Sequence, residues 1–278
     1  MSTRAIPIEP TVAARLRWLV ADSLVLARRN LAHVRQIPEK LIDVTLQPLM
    51  FVVLFAYVFG KVIHVPGGSY HEYLLGGIAV QTLLFGLMGP GTAIATDLRE
   101  GIVDRFRSLP MARSAYLVGH FAAELLTALV AILVLSVAGL IIGWGTHTDL
   151  AHVAGGYALL ILLAASMIWI GTFLGVLVRS PDAVQGVVFV VVFPLTFIAS
   201  AFVPLGGLPT ALRTFGEYNP VSTFAAGVRT LFGNPTAVPR GAPWPLQHAV
   251  LASALWCLLL LAIFVPATLA AFRARTSG

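Results

Sequence analysis

YLVGHFAAELLTALVAILVLSVAGLII, residues 116–142, carries one formal charge, Glu124. A helix rises about 1.5 Å per residue, so about 20 mainly apolar residues cross the hydrocarbon core of a bilayer. This run is longer than that. Working outward from it, the same criterion picks out 41–60, 73–95, 153–178, 183–203 and 249–272. The chain of 278 residues is 58% hydrophobic and only 11% charged, with mean hydropathy +0.89. Soluble domains carry about 25% charged residues, so lipid must cover most of this molecule. The predicted fold is an all-α membrane protein: six transmembrane helices in a domain over 41–278, preceded by a cytosolic segment over 1–40.

Six spans put both termini on one side. That side holds the basic residues of the first forty positions (Arg4, Arg15, Arg17, Arg28, Arg29, Arg35, Lys40), the 97–115 loop (Arg99, Arg105, Arg107, Arg113), Arg179, and the tail (Arg273, Arg275). The other side holds Lys61, Arg213, Arg229 and Arg240. The richer side is expected in the cytosol, in the plasma membrane of a bacterium. Trp144 and Trp244 then fall near the outer interface. The net charge of +6 comes from residues flanking apolar runs; a basic stripe interleaved with aromatics, as nucleic acid requires, is absent. The forty residues before the first apolar run are too long for the charged region of a signal peptide, so this segment is expected to be retained. The single cysteine, Cys257, lies in an apolar run and reads as a core residue.

Within 1–40, Leu16, Leu19, Val20, Leu24, Ala27, Leu31 and Val34 share one helical face. Arg15, Arg17, Asp22, Arg28, Arg29 and Arg35 share the other, with Trp18 and Asn30 as misfits. This predicts an amphipathic helix lying in the membrane surface. The 204–247 loop is rich in Pro and Gly but also carries many apolar residues, among them Leu205, Leu212, Phe215, Phe224, Val228 and Phe232. A loop of that length should not be structureless. Short outer or re-entrant helices are expected before the last span, buried in protein where they reach membrane depth.

The 96–113 loop, TDLREGIVDRFRSLPMAR, carries the most functional information. At helical spacing Leu98, Ile102, Phe106 and Leu109 share one face, with Arg99, Glu100, Asp104 and Arg107 opposite, and Pro110 stops the helix. A cytosolic helix over 97–109 with an apolar ridge suits docking into a partner's groove; it equally suits an interfacial helix that only joins two spans.

Glu100-Gly101, Phe106 and Ser108-Leu109-Pro110-Met111-Ala112-Arg113 together resemble the coupling-helix signature of type-2 ABC exporter permeases. In the outer loop, Pro204-Leu205 and Leu208-Pro209 precede Tyr218-Asn219-Pro220-Val221-Ser222 and then Arg229, which resembles the Asn-Pro motif of that family. Asp104-Arg105-Phe106-Arg107-Ser108-Leu109-Pro110 is most similar to the daunorubicin-resistance type of drug exporter permease. The resemblance implies two permease copies, most simply a homodimer, paired with two ABC ATPase subunits that hold ATP and Mg²⁺. It implies that Asp97, Arg99, Glu100, Gly101, Asp104, Phe106, Arg107, Pro110 and Arg113 form the ATPase-coupling element. It also implies that the second and fifth spans meet at the dimer interface and bound the translocation path. The sequence supports this division of labour independently, because no G-x-x-x-x-G-K-[ST] phosphate loop is present. No cofactor is expected on this chain, and no metal.

Inside the spans, Glu124 lies two turns into the third, with His120 one turn before it on the same face. An intramembrane acid faces a cavity or partner, as for a cationic cargo or a proton, unless the span starts later and leaves it near headgroups. Phe189, Phe193 and Phe197 make one aromatic stripe on the fifth span, read either as packing or as part of the substrate path. Gly/Pro interruptions at 86–91 and Pro194 mark candidate moving helices. The expected activity is export of an amphipathic drug or lipid-like cargo. The alternatives are a lipid or lipid-linked glycan by the same kind of transporter, and, in another class, an intramembrane lipid-modifying enzyme. The enzyme would need polar residues converging at one depth, and none can be assembled. A secondary transporter would show inverted repeats, and none is found. The remaining histidines, His147 among them, read as solvated or interfacial.

Overall fold

The computed structural model describes residues 38–102, 115–178, 180–239 and 241–276, and every regular element among them is helical. α1 (Pro38–Leu54) runs straight into a π-helical turn (Phe55–Phe59). α2 (Tyr70–Phe85) and α3 (Met88–Arg99) form one broken span, followed by α4 (Ala115–Ile141), α5 (Leu150–Leu177) and α6 (Pro181–Phe197). A 3₁₀ turn (Leu205–Gly207), α7 (Thr210–Tyr218), α8 (Pro220–Phe232) and α9 (Trp244–Gln247) fill the predicted long loop, and α10 (Ala249–Thr276) closes the chain. The predicted surface helix before residue 38 lies outside the described residues.

Among the described residues, four stretches are long and apolar enough to cross a membrane: Tyr70–Arg99, Tyr116–Ile141, Leu150–Leu177 and Ala249–Arg275. Leu46–Phe59 and Pro181–Phe197 are shorter apolar helices. α5 is the hub, packed against α2, α3, α4, α8 and α10. α4 and α10 are peripheral and turn Leu133, Leu140, Leu251, Leu255, Leu258 and Ile263 outward, as lipid-facing helices do. The 60–69, 142–149 and 233–238 connections converge at one end: Glu72 bonds His147 at 2.7 Å, and Trp144 Nε1 donates to Asn234 Oδ1 at 2.8 Å. At the other end Ile94, Leu117, Val176 and Phe272 form a separate small core, and Arg275 donates to the carbonyl of Val176 at the α5 C-terminus, where a cation suits the helix dipole.

Two sequence expectations need correction. The fifth span was expected to reach Val203, but α6 stops at Phe197 and 198–204 is non-helical. Pro204 lacks an N–H, so the Ser200 carbonyl has no donor four residues on, and Val203 before a proline disfavours the helical region. The helix over 97–109 was expected to be continuous, but α3 ends at Arg99 and Gly101 takes a left-handed φ of +67°. The chain therefore turns between the end of the second span and whatever follows.

Candidate functional site

Asp97 and Arg99 belong to the last turn of α3, which ends the second span. The Tyr116 hydroxyl donates to Asp97 Oδ2 at 2.5 Å, tying α3 to α4. Arg99 and Glu100 are exposed. Leu98, expected on a docking ridge, packs instead on the small core of Ile94, Leu117, Val176 and Phe272, so the ridge is shorter than the sequence suggested. Gly101 takes a positive φ, which favours glycine there. Asp104, Phe106, Arg107, Pro110 and Arg113 lie outside the described residues.

On α6, Phe189, Phe193 and Phe197 are 53%, 39% and 42% exposed, so they are not core packing within one chain. They belong to a longer ladder. Ring centroids are 5.1 Å apart for Phe189–Phe193, 4.3 Å for Phe193–Phe197 and 5.3 Å for Phe197–Phe202. Phe202 lies 4.5 Å from Phe55, which stacks on Phe51 and Phe59, and Phe85 of α2 meets Phe189 at 6.4 Å. The ladder joins the first and fifth apolar helices along an open face. The π-helical turn helps set this register, since it re-aims Phe55 and Phe59 relative to an α-helix.

Glu124 is 9% exposed on α4, beside the break in the second span. A Cβ on Gly89 would come within 3.1 Å of its Oε2. The Thr92 hydroxyl donates to the carbonyls of Met88 and Gly89 at 2.9 and 3.1 Å, steadying the first turn of α3. Below the break, α3 and α5 touch backbone to backbone: a Cβ on Gly175 would lie 2.2 Å from the Gly91 carbonyl oxygen. A void lined by Leu75, Ala79, Leu135, Ser136, Leu160 and Phe232 measures only about 10 Å³, room for about one water.

The residues between α6 and α10 form a buried polar group. Asn219 caps α8: its Oδ1 accepts from Val221 N at 2.9 Å, with Pro220 at the first helical position, the arrangement expected of an N-cap. Its Nδ2 donates to the Leu195 carbonyl at 2.7 Å. Arg229 is fully buried. Its Nε donates to the Tyr73 carbonyl at 2.7 Å, Nη1 to the Ser200 carbonyl and Nη2 to the Ala201 carbonyl, both at 2.8 Å. The guanidinium sits 3.5 Å over the Tyr73 ring. Among the described residues no carboxylate pairs with it.

Sequence reasoning missed the partners. Tyr73 donates to the Ser200 carbonyl at 2.7 Å and Tyr70 to that of Phe202 at 3.2 Å, while Ser222 Oγ accepts from Ser200 N at 2.9 Å. A tyrosine in an apolar run looks like any interfacial aromatic. The usable signal was Arg229 itself, a cation in an apolar helix that must find acceptors. Trp144 and His147 also do more than predicted. Trp144 is buried, edge-on to Phe232, and the His147 amide donates to the Phe232 carbonyl at 2.9 Å.

The described helices are thus braced by polar bonds at one end and present an open aromatic face. Over 258 residues the chain is 29% identical to the daunorubicin resistance ABC transporter permease of Streptomyces coeruleorubidus, covering 93% of this chain and 88% of that one. It is 25% identical to a doxorubicin resistance ABC transporter permease of Mycobacterium tuberculosis over 180 residues, 65% of this chain and 62% of the other. The family model for the ABC-2 type transporter matches residues 22–232, the region that holds the broken second span, the aromatic ladder and the Arg229 group, and the chain belongs to that family of multi-pass membrane permeases.

Proposed function

We propose that this chain is the membrane subunit of an ATP-driven exporter, moving an amphipathic drug or lipid-like cargo outward with a separate ATPase. The observation that carries this reading is similarity to a daunorubicin resistance permease along 93% of the chain. Six spans place both termini in the cytosol, with α1 plus its π-helical turn as the first and α6 plus its non-helical extension as the fifth. Two copies pair with two ATPase subunits, which bind ATP and Mg²⁺. Glu100 and Arg99, exposed at the inner end, lead into the 103–114 segment, where Phe106 is the largest apolar side chain and anchors the ATPase contact. The cargo path runs along the Phe189–Phe193–Phe197 face, whose rings are exposed, with Glu124 drawing the cationic end of an amphiphile.

The test is reconstitution with the partner ATPase in inside-out vesicles. ATP-dependent accumulation of fluorescent daunorubicin is expected. Phe106→Ala should lose ATPase co-purification and export together while still inserting. Normal export and normal ATPase stoichiometry in that variant would refute the coupling assignment. Flipping of a labelled lipid without drug accumulation would favour the lipid or lipid-linked glycan reading.

A further inference from the structure

The non-helical end of the fifth span presents carbonyls that no local amide can satisfy. In a continued helix the Ser200 carbonyl would accept from position 204, which is a proline without an N–H. At membrane depth an unpaired carbonyl is costly, and irregular backbone persists only when protein supplies the donors. Here side chains supply them. Arg229 and Tyr73 both donate to Ser200 O, Arg229 to Ala201 O, Tyr70 to Phe202 O and Asn219 to Leu195 O. The third guanidinium donor goes to the Tyr73 carbonyl of α2. One cation therefore ties three elements: the outer half of the second span, the end of the fifth, and the re-entrant helix α8. A planar fork with fixed donors can do this; an ammonium, a point charge on a flexible stem, cannot hold all three at once.

We propose that Arg229 is the positioning residue of the outer end of the fifth span, clamping α2, segment 198–203 and α8 into one block that the transport cycle moves without opening. The inference rests on the exporter reading for the cycle, not for the clamp. Opening within the block would strand the carbonyls of Ser200 and Ala201 together with a buried charge. Motion is instead directed to the joints that flank the block, the Gly86–Leu87 break below α2 and Pro194 within α6.

The experiment uses the full transporter with its ATPase, in a Cys257→Ser background with Ser200→Cys as reporter. Ser200 is buried, and its carbonyl survives the substitution. An impermeant maleimide is added from outside with and without ATP, and cargo exported per ATP hydrolysed is measured in parallel. With Arg229 present, the reporter should stay unlabelled in both states. With Arg229→Lys it should label during turnover, and export per ATP should fall several-fold while ATPase association is kept. Tyr73→Phe keeps the ring under the guanidinium but removes one of the two donors to Ser200 O. It should show a smaller effect in the same direction, and it decides the matter if the lysine variant does not accumulate. Labelling during turnover with Arg229 present would overturn the proposal, because the segment would then open in each cycle. So would both variants keeping full shielding and an unchanged export ratio. If the parent protein exports nothing while the reporter is shielded and becomes exposed in Arg229→Lys, the exporter reading fails and the clamp stands.

Discussion

Gly77→Ala is the sharpest test of how α2 meets the end of the fifth span. A Cβ at position 77 would lie 1.8 Å from the Ala201 carbonyl oxygen, 2.5 Å from its carbon and 2.9 Å from its Cα. All three atoms are backbone, so no rotamer change relieves the clash. Reaching ordinary contact at 3.4 Å needs a separation of about 1.6 Å. That exceeds the slack in the 2.8 Å bonds from Arg229 to Ser200 O and Ala201 O. Overpacking alone costs about 1–3 kcal/mol, and each strained bond to a charged group is worth about 1.5–3 kcal/mol. The expected loss is therefore at least about 3 kcal/mol. Gly155→Ala is the control: it sits inside α5, and its nearest new contact would be the Leu231 Cδ2 at 3.4 Å, so helix propensity should make it stabilising by about 0.5–1 kcal/mol. Equilibrium unfolding of the purified chain by sodium dodecyl sulfate in mixed micelles reads both. If Gly77→Ala falls within about 1 kcal/mol of the parent, or behaves like Gly155→Ala, the close approach of α2 to residue 201 is wrong.

The same assay should show Asn219→Ala losing about 2 kcal/mol, the sum of an N-cap and a bond to Leu195 O, and Asn219→Asp losing at least as much, because it keeps the cap but turns a buried carboxylate oxygen toward that carbonyl. Glu124→Gln should lower export of cationic cargo and spare a neutral analogue of the same size; equal effects on both would place the carboxylate outside the path. Cysteine at Thr146, exposed in the loop between α4 and α5, should react with impermeant reagent from outside intact cells and cysteine at Ser108 should not; the reverse pattern would invert the topology.

Long spans were legible because each satisfies its own backbone. The third, expected over 116–142, is Ala115–Ile141; the fourth, expected over 153–178, is Leu150–Leu177; and α10 starts at Ala249 as read. Hydropathy needed no knowledge of neighbours there. It failed where the helix is stopped by groups distant in sequence. Residues 198–203 are as apolar as the helix before them, and what ends α6 is Pro204 together with donors from Tyr73 and Arg229. Continuity of the expected 97–109 helix failed at 99–101 for a local reason: helical spacing of Leu98, Ile102 and Phe106 is compatible with a continuous helix, but Gly101 turns the chain, and Leu98 is drawn into the core below. For the site, periodicity found the Phe189–Phe193–Phe197 stripe but not its continuation through Phe202 to Phe55, because those rings meet across a fold and not along one helix. Arg229 entered through resemblance to a family motif, and its carbonyl partners could not be inferred from spacing.

The polar residues divide along the molecule in a way that bears on mechanism. Toward the α2 N-terminus they are consumed by the fold: Tyr70, Tyr73, Asn219, Ser222 and Arg229 bond the 195–202 segment, while Glu72–His147 and Trp144–Asn234 join the loops around it. Removing Arg229 leaves the Ala201 carbonyl without its side-chain donor, so this half resists local deformation. Toward the α3 C-terminus, helix contact depends on small residues, with Gly91 and Gly175 backbone to backbone, and the bond from Tyr116 to Asp97 ties the last turn of α3 to α4. Packing of that kind lets helices slide or tilt without stranding a carbonyl, since each keeps its own hydrogen bonds. The Gly86–Leu87 break, beside Glu124 and Phe85, is where the half held by side-chain bonds meets the half held by close glycine packing.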